Sequence, residues 1–526
     1  MLTREIFLKD PLAWRLLNNG VSSNNADETP LVQYELQTFV CEGEYLNGLS
    51  RILASFLGCH GTPQNAAWVS GFYGSGKSHL VKVLRYLWTD HQFPDGQRAR
   101  AIAQLPDDIQ DKLKELSTLG ARGRGLHSVG GTLKSEMGTT NARVLSMVFG
   151  SVGLPKKLSQ ARLIMELRED GTLPQIKAAL NAAKADEAKA FERPYTNKHF
   201  LSAYVATHPH IGTEADASKA LLADYPPNIL DVGIDDMIGD IRRALSKDGK
   251  LPETLIVLDE AQQYINNNPD VSLELQEIAE ACSTRLDGSV IVVATGQSAL
   301  SDTPALQRLM GRFKVKAHLK DTDVERVVRR VVLNKKEEKK ADVQKLVTRQ
   351  QGEITRQLKT TKIATKPDDD RAYVADFPLL PVRRRFWEQV LHAVDSSGTA
   401  AQMRTQLSVA YEACKSLADK PLGAIIPADF IYDQLANDLV ISGEMQRRFQ
   451  EIVEEQKSQP DGALRSRVCA LVFLINKLPR DAVDTGVRAT VEHLADLLTD
   501  DLGDSATRLR ESLPQIVERL VADGVL

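Results

Sequence analysis

What this chain of 526 residues has little of narrows it before any motif is read. Cysteine is scarce, and Cys41, Cys59, Cys282, Cys414 and Cys469 stand apart with no C-x-x-C pair among them. That spacing excludes a zinc module built on paired cysteines and a disulfide scaffold, and it suits a reducing compartment. Long apolar runs are missing too: no stretch reaches the roughly 18 consecutive apolar residues of a spanning helix. The polar opening Met1-Leu2-Thr3-Arg4-Glu5 does not read as a secretory signal, so the expectation is a cytoplasmic protein without a membrane partner. Neither sign of charge dominates, with 66 Lys and Arg against 70 Asp and Glu and a net charge of −4. Bulk electrostatics therefore gives no argument for nucleic acid, and any basic surface must be local. Aromatics make up only 6%, as in helix-rich proteins, while 42% hydrophobic residues can fill real cores. The length allows two to four domains.

Against this plain background one stretch stands out, Gly71-Phe72-Tyr73-Gly74-Ser75-Gly76-Lys77-Ser78. It matches the phosphate-cradling pattern G-x-x-x-x-G-K-[ST] in the context that pattern needs. Ala66-Ala67-Trp68-Val69-Ser70 before it reads as a buried parallel strand. After it, Leu80, Val81, Val83, Leu84, Leu87 and Trp88 recur at helical spacing. Glycines let backbone N–H groups curl around a triphosphate, and a helix N-terminus adds partial positive charge. The candidate nucleotide contacts are Gly71, Gly74, Ser75, Gly76, Lys77, Ser78 and His79. Lys77 would reach the terminal phosphates of ATP, and the Ser78 hydroxyl would ligate Mg²⁺.

A second signal lies some 180 residues on, too far for a simple crossover, so an insertion is expected at about 132–250. Leu255-Ile256-Val257-Leu258 ends in Asp259-Glu260, and acids at the carboxyl end of a buried strand lie where open α/β sheets place their chemistry. Asp259 would hold Mg²⁺ through water, and Glu260 would act as general base on the attacking water. The glutamate after the aspartate points to water-activating P-loop ATPases rather than to kinases or small GTPases. Ser289–Thr295 reads as another buried strand ending in Gly296-Gln297, which makes Thr295 and Gln297 candidates to touch the terminal phosphate or the water. Arg312, with Arg308 in reserve, precedes a last strand at Lys314–Leu319 and is a candidate finger reaching a neighbour's site.

Other stretches carry weaker signals. Leu126–Gly130 is a candidate second strand, and Leu158 to about Ala190 is helical. A helix with Leu46, Leu49, Ile52, Leu53, Phe56 and Leu57 on one face reads as a cover for the sheet. His208-Pro209-His210 reads as a loop rather than a metal pair, because no ligand partner stands at suitable spacing. Val324 to Lys340 reads as one basic-faced helix with a solvated face, the alternative being contact with phosphate backbones. Thr361–Asp370 reads as a loop or linker, and Arg383-Arg384-Arg385 opens a helix. Arg404 falls in the first turns of a lid helix, either touching the terminal phosphate or making a structural salt bridge. Val491–Leu498 and Leu509–Val521 read as short helices of a winged-helix unit whose hairpin is missing, so a longer protein is expected.

The order of parts looks like an AAA+ ATPase core with a helical lid. More closely, the chain resembles the P-loop ATPase of bacteriophage-exclusion (BREX) systems, the BrxC/PglY family. The likeness rests on Asp10-Pro11, Tyr34-Glu35-Leu36, Phe39–Tyr45, Ser70–Leu80, Val257–Glu260, Ala294–Gln297 and Leu379–Val382. It implies a phage-defence complex with a methyltransferase and other BREX subunits, DNA as a partner, and family members longer than this chain. The expected architecture is α/β: a P-loop AAA+ (ASCE) core with a parallel sheet in the order 5-1-4-3-2, a mostly helical lid and a partial winged helix. The expected divisions are 1–65, a segment packing on the core; 66–340, the core; 341–480, the lid; and 481–526. The expected activity is Mg²⁺-dependent ATP hydrolysis in a homo-oligomer. The alternatives are an ATP-stabilised scaffold with negligible turnover and a DNA-binding loader.

Overall fold

Strands form where apolar residues run without interruption, and their burial depends on their place in the sheet. In a computed structural model of the chain, β1 (Ala67–Gly71), β3 (Glu253–Asp259) and β4 (Val290–Gly296) are buried along their whole length. β2 (Leu126–Thr132) and β5 (Val315–Leu319) alternate more polar and more apolar positions. The order is β2-β3-β4-β1-β5, all parallel, so the three unbroken apolar runs are central and the mixed ones lie at the edges. This is the expected order. The structure describes residues 1–16, 29–71, 75–227, 229–297, 299–394, 402–481 and 484–526, without the side chains of 321–323 and 402–405.

Two compact units divide the chain. One holds the described residues of Ser22–Phe72 and Gly76–Lys320, the other those of Met1–Val21, Tyr73–Ser75 and Asp321–Leu526. The boundary thus falls after Lys320, where the sequence suggested about 340.

In the sheet unit, α1 (Thr29–Gln37) and α2 (Gly43–Gly58) precede β1, and α3 (Lys77–Thr89) follows the glycine loop. α2 covers β5 and buries Leu49, Ile52, Leu53 and Phe56, the face its spacing indicated. Gly48 permits the close approach, because a Cβ there would lie 3.0 Å from the Ala317 methyl. α3 buries Leu80, Val81, Val83, Leu84, Leu87 and Trp88 as expected. It also buries Lys82, whose Nζ lies 3.0 Å from Glu35 of α1, both side chains only 1% exposed.

The long crossover from β2 to β3 is helical. The expected helix from 158 to 190 is three, Leu158–Glu169, Leu173–Ala182 and Glu187–Glu192. With Lys198–Thr207 and Glu214–Asp224 they enclose a core of their own, including Leu167, Ile176, Leu180, Phe200 and Leu221. His208 and His210 flank Pro209 at a 3-10 turn, the His208 ring stacked 4.3 Å from Tyr204.

The helical unit corrects several sequence expectations. Its first residues run along its own later segments: Thr3 N donates to the Lys420 carbonyl and Leu8 N to that of Asn334. Val324–Lys340 is not one solvated helix but parts of two, Asp321–Val331 and Glu337–Arg349. Between them Lys335 is buried, its Nζ donating to the Ala375 carbonyl at 2.6 Å, and burial lowers its pKa to about 7. Arg329 turns inward to Asp376. The acidic run at 368–370 is an anchor rather than a linker: Asp369 caps Lys366 N and accepts two bonds from Arg385 at 2.8 and 2.9 Å.

The last segment is an 8-residue helix, Val491–Leu498, and one of 18 residues, Ser505–Ala522. The latter packs on Val491–Leu498 and on Gly462–Lys477, and Leu513, Ile516 and Leu520 are buried. The apolar face of this helix is thus covered from within the chain at these three residues, while Val521 is exposed.

Candidate functional site

Parallel strands deliver their carboxyl ends to one edge, and the chain's most specific motifs lie there. β1 ends at Gly71, whose φ of 156° lies in a region open to glycine. The chain re-enters at Ser75, which is buried, and Gly76, which is left-handed at φ 85° and caps α3. Gly74 lies outside the described residues. Lys77 is the first residue of α3, and its Nζ donates to the Gly71 carbonyl at 2.8 Å, spanning the loop from end to start. Burial lowers its pKa to about 8, with Asp259 and Glu260 pulling the other way. Ser78 follows in the first turn, half-buried.

One strand beyond β4, β3 ends at Asp259, only 4% exposed. Register places Thr295 of β4 between the two motifs: it pairs with Val69 of β1, while its neighbour Ala294 pairs with Leu258 of β3. The Thr295 hydroxyl donates to Asp259 Oδ1 at 2.6 Å and accepts from Glu260 N at 2.8 Å. Glu260 N also lies 3.1 Å from Asp259 Oδ1. These bonds hold Glu260 at φ 54°, a left-handed conformation that costs an ordinary residue about 1–2 kcal/mol. Burial, then the neighbouring Asp259, raises the Glu260 pKa, while Lys134 and Lys77 oppose the shift.

The sequence-indicated residues are not all brought together. Gly71, Gly76, Lys77, Ser78, Asp259, Glu260 and Thr295 share one edge of the sheet. Thr295 meets the two acids directly, so its hydroxyl positions them. Gln297 is exposed just past β4. His79 is half-buried beside Phe39, ring centroids 5.7 Å apart, and burial lowers its pKa. Arg312 ion-pairs with Glu280 of its own chain, and Arg308 is exposed. The Arg404 side chain lies outside what the structure describes.

Three contacts around the site could not be read from the sequence, although Glu35 and Gly296 stood within stretches that carried the resemblance. Lys134 sits in the short turn Leu133–Ser135 after β2, close to the residues that follow Glu260. Its one advance signal was its place just past a strand's carboxyl end. The Glu35–Lys82 pair binds α1 to the helix that carries Lys77. Gly296 is required by packing, since a Cβ there would come within 2.2 Å of the Trp68 indole.

No group of three or more His, Cys, Asp or Glu suited to a metal occurs among the described residues. A cation here would draw on Ser78, Asp259 and the oxygens of a bound phosphate, the donor set that suits Mg²⁺. No described helix is long and apolar enough to cross a membrane. No protein-family model matches this chain.

Proposed function

We propose that the chain binds ATP with Mg²⁺ at the carboxyl edge of its sheet and hydrolyses it. The observation that carries this reading is the Thr295 hydroxyl bonded to both Asp259 and the Glu260 backbone, on the strand beside the one that feeds the glycine loop. Gly71 and Gly76 open the loop backbone to phosphate oxygens, and the α3 N-terminus and Lys77 supply positive charge. When bound, Mg²⁺ offsets phosphate charge between Ser78 and Asp259. Glu260, its affinity for a proton raised by burial and by Asp259, takes the proton from the attacking water. Lys134 steadies its carboxylate from the turn after β2. We further infer a homo-oligomer in which Arg312 or Arg308 serves a neighbouring site, and membership of a phage-defence assembly acting with DNA, as the sequence resemblance implies.

The test is nucleotide-dependent thermal stabilisation of the full chain and of Lys77→Ala. ATP should raise the midpoint of the parent in proportion to RT ln(1 + [L]/Kd) and leave the variant unmoved. Stabilisation retained in the variant removes the site. Phosphate release measured on the parent separates turnover from binding alone.

A further inference from the structure

The insertion carries a site of its own. Within it, the helix Leu158–Glu169 begins beside Tyr225 and Pro227, which follow the end of the helix Glu214–Asp224. Ser159 ties the two together by donating to the Pro226 carbonyl. Between this neck and the turn at 192–196 lies an open cleft of about 430 Å³. That is within the usual range for small-molecule sites, roughly 300–1,000 Å³.

Its walls and its rim differ in chemistry. Tyr195 and Tyr225 line the cleft with the adjoining prolines, among polar neighbours such as Gln160 and Thr196. Tyr225 is buried, its hydroxyl committed to Glu166, so the half-buried Tyr195 is the more open ring of the two. The rim is charged. Arg193 is exposed, and its guanidinium has no ion pair or hydrogen bond among the described residues. Lys157 lies 3.1 Å from Glu192, the one acid of the lining, with side chains 61% and 51% exposed. A pair so open to water is weak, and an anion can displace it. The lining therefore has one positive charge in excess, close in sequence to the half-buried Tyr195.

We propose that this cleft binds a nucleoside monophosphate unit, its base against Tyr195 and its phosphate at Arg193 and Lys157. Aromatic rings stack on any base, and a guanidinium matches phosphate with two parallel bonds. The volume accommodates one such unit. A free mononucleotide and one nucleotide of a single strand present the same chemistry. The proposal goes beyond the hydrolytic reading and does not depend on the glycine loop.

The experiment uses the full chain carrying Lys77→Ala, so that the loop does not compete, with adenosine monophosphate, a short oligothymidylate and a polyglutamate peptide as probes. Binding is titrated and located by hydrogen exchange. The expected result is protection at 157–160, 192–196 and 225–227 by a nucleotide probe. Arg193→Glu and Tyr195→Ala should each weaken it about fivefold or more, while Arg193→Lys and Tyr195→Phe should retain most of it. Protection by the monophosphate assigns a free nucleotide, and protection by the oligonucleotide alone assigns a strand. The proposal is overturned if neither protects these segments, if only the peptide does, or if Arg193→Glu binds as the parent does. Arg193 is exposed, so that variant tests the site without threatening the fold. ATP stabilisation of the unaltered chain is read separately, so either reading can fail alone.

Discussion

Both units bury opposite charges in pairs, as Glu35 and Lys82 do beside the sheet, but the carboxyl edge of the sheet departs from that rule. In the helical unit, buried acids are matched with arginines. Asp376 meets Arg329 and Arg384, Asp369 meets Arg385, Asp429 meets Arg467, and Asp496 meets Arg356 and Arg510. Opposite charges brought together in this way anchor helices to one another, a structural use. At the edge of the sheet, like charges stand side by side instead. Asp259 raises the pKa of Glu260, and a threonine and two backbone bonds hold the pair in place. Two adjacent carboxylates on a strained turn cost folding energy, and such strain concentrates where chemistry is done. Buried charge by itself therefore says little; what sets the sheet edge apart is a second carboxylate beside the first.

The comparison can be broken most directly at Glu260. Glu260→Gln keeps the shape and removes the base, so turnover should fall about 10²–10⁴-fold while ATP-induced stabilisation persists. Parental turnover in this variant would return the acid pair to a structural role. In the helical unit the corresponding test is Asp376→Ala, which leaves two inward-facing arginines without their shared acceptor. Denaturant unfolding should show a loss of about 3–5 kcal/mol, with ATP binding by the folded fraction unchanged. A loss of ATP binding instead would make this network part of the site.

A finer test is Thr295→Val, which keeps the volume and deletes the hydroxyl between Asp259 and Glu260. Turnover should drop about 10–100-fold, less than for Glu260→Gln, in the range seen when a supporting partner is removed. An equal loss in both would make Thr295 a direct participant.

The smallest effect is expected in pH dependence. Glu260 works as a base only when ionised, and burial raises its pKa, so activity should fall with falling pH above the ordinary carboxylate range. Lys134 opposes that rise, so Lys134→Ala should move the acid limb to higher pH, and Lys134→Arg should restore it. On the alkaline side, Lys77 loses its charge above about 8 in the free protein, so ATP affinity should weaken as pH rises past that value. A pH-independent affinity from 7 to 9 would show that Lys77 keeps its charge across that range in the free protein.

The sequence by itself determined the elements whose signals are local. Unbroken apolar runs became β1, β3 and β4, the glycine loop led into α3, and Asp259-Glu260 came at a strand's end. Period and turn chemistry act over a few residues and need no distant partner to be read. Tertiary structure alone decided what each polar group meets. Register aligned Thr295 with the acids 35 and 36 residues before it. The β2 turn set Lys134 near Glu260, and Lys335 and Arg329 went inward although their spacing suggested a solvated face. The composition of a helix states that charges are present, but not which of them the packing will enclose. That choice depends on acceptors such as Asp376 and the Ala375 carbonyl, 40 or more residues away, which only the folded chain brings within reach.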